Sequence, residues 1–389
     1  MSNNGQARIG WIDKFKGFVL LLVCLFHIEQ NFPNAHLGMW HLSALRMSAF
    51  FFISGFLFST KRFSDFKSYF THKTRVLFFP YLYLSFLFFA IDPVVYNFAL
   101  YPKAPTMTVV NTIPDINNTW QYIYWNIAKI FIAGKSSVGA GPLWFVFTLY
   151  SVSLLFYLLH EMSKKQVHPK LFFAVMSIEG LLCGWLLNEN HIHLPLGFER
   201  DLTILFFFGC GYLSKELLLD ERRKTRDERG ELRSNKRTFS KKILAIVAIT
   251  SFIAYGFLES PSPNFSIMNN DLGKSLPQFV ASSITGIIGL IATFLLASKL
   301  PDVAPIRITK GILRNISRNA LVILAVHWWI VLIFRLFFRP QINQPGIAYI
   351  AIPIVALGTI AAIPLFRCKL HRLLGKEKIS VKESLCIRE

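Results

Sequence analysis

Lys16 and His27 stand eleven residues apart in the run I-D-K-F-K-G-F-V-L-L-L-V-C-L-F-H-I-E-Q-N. On a helix this spacing leaves about 20° between them in azimuth and about 16 Å in height. One helix face then carries a cation at one end and an imidazole deep in an apolar segment. Histidine has the ordinary pKa nearest neutrality, which suits it to general base work. Asn31 lies one turn beyond His27 on the same face, where it could orient the ring. Asp13, three residues before Lys16, could pair with the lysine, whereas Glu29 points roughly the opposite way. The bland alternative is a snorkelling Lys16 and a His27 that only hydrogen-bonds a neighbouring helix.

A second apolar run, L-R-M-S-A-F-F-F-I-S-G-F, carries Arg46. A guanidinium inside hydrocarbon should face a wet cavity or an anion rather than lipid. Ser54 and Gly55 among the aromatics allow another helix to approach closely. Three further groups fall in or beside apolar runs. Glu179 reads either as a packed neutral acid or as part of a cavity. His327, in A-V-H-W-W, reads either as a structural hydrogen bonder or as a functional group. Trp144, in G-P-L-W-F-V, reads as an interfacial anchor or a substrate-binding group.

These groups need a scaffold, and the composition supplies one. The chain has 389 residues, 53% hydrophobic and 15% aromatic but only 16% charged, with mean hydropathy +0.43. Soluble domains carry about 25% charged residues, and the apolar residues here come in repeated blocks of bilayer-spanning length. The sequence therefore predicts an all-α polytopic membrane bundle with about ten spans. They are expected near 14–32, 40–60, 75–98, 142–161, 170–189, 201–218, 241–258, 277–299, 317–338 and 346–366. The whole of 1–389 reads as one membrane domain, with 367–389 as a basic cytoplasmic tail. Residues 120–133 are too short to span and read as an interfacial or re-entrant helix, with Trp120, Tyr122, Tyr124 and Trp125 as its belt.

Placing both termini in the cytoplasm puts 34 of the 42 Lys and Arg residues in inner segments, as the positive-inside rule requires. The +20 charge then belongs to an inner membrane face and its lipids, not to nucleic acid. The five cysteines show no metal-ligand or redox spacing, so no metal is expected. No cleavable leader is expected either, because the first apolar block lacks a small-residue exit. The charged 220–242 stretch reads as a solvated linker. Residues 98–141, with Pro102, Pro105 and Pro114, read as a long outer segment, and such loops are often functional. Asn117, Asn264 and Asn315 begin N-x-S/T sequons, which are common by chance.

Five motifs occur in order: R-x4-D-x2-K-G from Arg8 and an apolar run to His27, then R-M-S-A-F-F-F-I-S-G-F, K-T-R-V-L-F-F-P-Y, G-P-L-W-F-V and N-I-S-R-N-A-L-V-I-L-A-V-H. Together they resemble the acyltransferase 3 family of integral membrane acyltransferases, most like its sugar O-acetyltransferase branch, over residues 8 to about 330. Where the family pairs Arg with His across ten residues, this chain has Lys16 and His27. The family's R-x-x-R before the third span is replaced by nearby Lys73 and Arg75.

The resemblance implies a cell (inner) membrane enzyme that uses cytoplasmic acyl-CoA, usually acetyl-CoA, as co-substrate. The acceptor would be a hydroxyl of a glycan or lipid-linked sugar. Basic residues at the inner face, Lys14, Lys16, Lys73 and Arg75, suit the CoA phosphates. His27 would act as base, and Arg46 would stabilise the oxyanion or bind the acceptor. A covalent acyl-His27 is the alternative to direct transfer. A transporter or flippase for a glycan or small anion would use the same intramembrane groups, but no internal repeat is visible.

Overall fold

The computed structural model describes residues 10–101, 116–219, 224–226, 232–234, 239–259, 265–273 and 275–375. Arg8, most of the 220–242 linker, Pro102, Pro105, Pro114, Asn264 and the tail from 376 lie outside the described residues. Within them the chain is helical, apart from an isolated bridge and a pair of three-residue strands, Lys224–Arg226 with Leu232–Ser234.

Two apolar helices open the bundle. α1 runs over Gly10–Asn31, and a 3-10 turn at Trp40–Leu42 leads into α2, Ser43–Phe56. Twelve of the fourteen α2 residues are buried, so α2 is the inner post around which the others pack. α3 (Phe66–Lys73) continues through one π turn, Thr74–Phe78, into α4 (Phe79–Phe89). Asp65 starts this rod by accepting from Ser68 N at 2.7 Å, an N-cap of the usual kind. The segment expected at 75–98 is thus longer at its start. It ends at Phe89, because Pro93 has no N–H to donate to the carbonyl four residues back, and a separate α5, Asp92–Asn97, follows.

α6 (Thr119–Ile132) has fourteen residues, short of the roughly 20 a bilayer requires. Trp120 and Tyr124 are exposed, as a belt would have them, but Tyr122 is fully buried and packs on Tyr96. Then come α7 (Trp144–Ser163), α8 (Pro169–Glu189), α9 (Phe198–Leu219) and α10 (Lys241–Glu259). α11 (Leu276–Ser298), α12 (Ala304–Arg318), α13 (Ala320–Phe337) and α14 (Ile347–Cys368) complete the fold. Among the described residues, six stretches are long and apolar enough to cross a membrane: Gly141–Ser163, α8, α10, α11, α13 and α14. α2 and α4 are shorter than these, and the starts of α1 and α9 carry charged residues.

α12 is a helix in a segment that the charge count treats as an inner loop. Arg307, Lys310, Arg314 and Arg318 recur at helical spacing on one face, while Leu313 is buried and the helix packs on α1. Close packing is set by small residues. A Cβ on Gly55 would sit 1.9 Å from the Phe208 carbonyl oxygen, and one on Gly211 would sit 1.8 Å from that of Phe52. α2 and α9 therefore touch backbone to backbone, as the S-G pair in α2 predicts.

Candidate active site

His27 and Arg46 line one cavity of about 510 Å³, within the usual range for a small-molecule site. Its walls are the C-terminal half of α1, the start of α2, Lys129 of α6, the 133–144 loop, the 265–271 loop and α13. The core positions each wall. Phe50 of α2 and Phe145 of α7 meet edge to face at 4.4 Å, and Trp144 closes the cavity beneath the Arg200 guanidinium, 5.2 Å from its ring.

The orientation of His27 can be followed atom by atom. His327, 1% exposed, places its Nδ1 2.6 Å from the Ile323 carbonyl oxygen. A carbonyl only accepts, so this nitrogen carries the proton, and in the neutral ring Nε2 is left with a lone pair. That Nε2 is 2.9 Å from His27 Nδ1, which must then donate. His27 Nε2 is left unprotonated in the neutral ring, and the two rings stack with centroids 5.1 Å apart. Trp328 packs edge-on against His27 at 5.1 Å. This chain of donors holds an imidazole in the tautomer that accepts a proton.

Arg46 is 6% exposed. It donates to the Met39 carbonyl and lies over the Phe26 ring at 3.8 Å. Glu29 is not a partner of His27. It accepts the backbone N–H groups of Leu37, Gly38 and Met39 at 2.8, 3.0 and 2.6 Å, and so fixes the turn that delivers Arg46.

The sequence places residues 133–141 in an outer segment, yet residues 133–140 are buried. Buried backbone must be hydrogen-bonded, and neighbouring helices supply the partners. Trp328 Nε1 donates to the Val138 carbonyl at 2.6 Å, Asn126 Oδ1 accepts from Val138 N at 3.2 Å, and Asp92 Oδ1 accepts from Gly139 N at 2.5 Å. Gly141, at φ 48°, lies where a Cβ would meet the Trp328 ring 2.2 Å away. The loop thereby brings Lys135, Ser136 and Ser137 to the cavity. The run G-K-S-S-V-G-A-G-P, small residues interleaved with donors, is the sequence signal for it.

The other sequence candidates fall elsewhere. Asn31 does not orient the imidazole: its Nδ2 donates to the His27 backbone oxygen at 2.7 Å and its Oδ1 accepts from Arg335 at 2.8 Å, which ties α1 to α13. Glu179 is exposed on the outer face of α8 and is neither packed nor in the cavity, because Ser177 and Gly180 take the inward positions. Asp13 and Lys16 are half-buried on the first turns of α1 and do not line the cavity. Lys73 and Arg75 lie at the α3–π junction, Lys73 half-buried over the Tyr69 ring at 5.3 Å and Arg75 exposed. Burial pushes the Lys73 ammonium down to about 8.

Comparison with known families matches residues 9–366 to the family Acyl_transf_3, described as an acyltransferase domain. Neither curated proteins nor solved structures give a match.

Proposed function

Because the chain belongs to the acyltransferase 3 family, we propose that it is a membrane O-acetyltransferase. It moves an acetyl group from cytoplasmic acetyl-CoA to a hydroxyl of a cell-surface polysaccharide or lipid-linked sugar. The observation that carries this reading is the Ile323–His327–His27 hydrogen-bond chain, which leaves an unprotonated imidazole nitrogen in the cavity that Arg46 also lines. We place the protein in the cell (inner) membrane with about ten spans and both termini inside, on the charge asymmetry of the sequence.

A sugar hydroxyl is a weak nucleophile, and general base help contributes about 10²–10⁴-fold. His27 Nε2 takes the hydroxyl proton as the oxygen attacks the thioester carbonyl. His327 Nε2 holds the ring by accepting from His27 Nδ1–H. The tetrahedral oxyanion forms beside Arg46, whose guanidinium donates to it in a water-poor cavity where such bonds are strong. The C–S bond then breaks, and the imidazolium returns its proton to the leaving CoA thiolate. Direct transfer needs no covalent enzyme intermediate. Lys16, Lys73 and Arg75 are assigned to the CoA phosphates, with Asp13 supporting Lys16, and the pantetheine arm rises along α1 toward His27. Trp144 forms the acceptor wall.

The transporter reading is less well supported, because the family match is to an acyltransferase and no repeat is visible. Membranes containing the protein, incubated with acetyl-labelled acetyl-CoA and mild-base-treated surface glycan, should form base-labile acetyl esters. Glycan flux without ester formation would replace this reading with the transporter.

A further inference from the structure

The cavity around His27 is short of negative charge. Arg46, Lys129 and Lys135 line it, against the single carboxylate of Asp271. Among the described residues none of the three cations makes an ion pair within 4.0 Å. The nearby acids are engaged elsewhere: Glu29 with three backbone N–H groups, Glu259 with Ser43 at 3.0 Å, and Glu199 with Leu194 N at 3.0 Å. Asp92, the acid closest in charge to Lys129, holds Gly139 N. Buried cations that form no direct ion pair leave donors unfilled even where carboxylates lie nearby, as Glu29 and Glu259 do for Arg46, Asp92 for Lys129 and Glu199 for Lys135.

Lys135 is the clearest case. It is 3% exposed, and its ammonium has three donors, of which one goes to Asn269 Oδ1 at 2.8 Å. Burial, with Arg200 and Lys129 adding like charge, pushes it down to about 7, so a bound anion would restore its charge. We propose that the acceptor carries an anionic group, a sugar carboxylate or phosphate, that seats against Lys135 while its hydroxyl faces His27. This rests on the acyltransferase reading and narrows the acceptor class. The CoA phosphates are the other anions at hand, but they belong near Lys16, about 16 Å along α1 from His27.

The test is equilibrium binding by the full chain in detergent, which requires no turnover. The probes are glucuronate, glucose 6-phosphate and glucose, with acetyl-CoA measured alongside. One or both charged sugars should bind at least about tenfold tighter than glucose, since a charge-assisted hydrogen bond contributes about 1.5–3 kcal/mol. Which one binds identifies carboxylate or phosphate as the source. Lys135→Gln should abolish that preference, Lys135→Arg should keep it, and acetyl-CoA affinity should not change in either. Equal binding of glucose and both charged sugars, or no sugar binding at all, overturns the proposal. So does a loss of acetyl-CoA affinity in Lys135→Gln with Lys135→Arg folded and unaffected. If the charged sugars bind through Lys135 but no acetyl ester forms, the anion site stands and the acyltransfer reading falls.

Discussion

An imidazole works as a base only if the nitrogen facing substrate is unprotonated, and a second group must enforce that. Here it is His327, fixed in turn by a carbonyl that can only accept. His327 is therefore a positioning residue. Groups that orient metal-bound histidines matter by about 10–100-fold, and the same scale is expected for a group that fixes the tautomer of a base. His327→Ala should lower kcat by about that factor with the acetyl-CoA KM within about twofold of wild type. His327→Gln, whose side-chain oxygen can accept from His27 Nδ1, should recover most of the loss. Equal damage in both variants would mean that His327 only packs. His27 and Arg46 were legible in the sequence because an ionisable group in an apolar run has few bland explanations. Asn31 and Glu179 were misread because a shared helix face does not say which neighbour occupies it. Asn31 faces Arg335, and Glu179 faces outward, as only packing could decide.

Among the elements, the α3–π–α4 rod carries the candidate donor-side cations. Lys73 stands at its π junction, where burial brings its ammonium down to about 8. The amine is charged below that pH and neutral above it, so any hold on CoA phosphates is present at low pH and lost as pH rises through about 8. The acetyl-CoA KM should be flat up to about pH 7 and rise roughly six- to tenfold by about pH 9, where about nine-tenths of the amine is neutral and a charge-assisted bond of about 1.5–3 kcal/mol is lost with it. Lys73→Gln should show the raised KM at every pH. A wild-type KM without pH dependence would remove Lys73 from the donor site. Long apolar helices such as α11 and α13 were legible from block length. The inward loop at 133–144 was not, because its burial depends on Trp328, Asn126 and Asp92, which lie far away in sequence. α12 was hidden for a different reason: its basic residues mimic a solvated loop unless their 3.6-residue recurrence is counted.

For the molecule as a whole, the charge asymmetry makes both the orientation and the site consistent. Lys16, proposed for the donor side, lies toward the start of α1, and the cavity lies toward its end. If both termini are cytoplasmic, a single cysteine introduced at Ser64 in an otherwise cysteine-free chain should resist a membrane-impermeant maleimide in intact cells. One introduced at His36 or Gln344 should react, and the reverse pattern would invert the topology. The role of His27 as the base for direct acetyl transfer is read from kcat of folded His27→Ala on acetyl-CoA and the base-treated surface glycan. kcat should fall by about 10²–10⁴-fold with little change in the acetyl-CoA KM. A kcat within about threefold of wild type would contradict it.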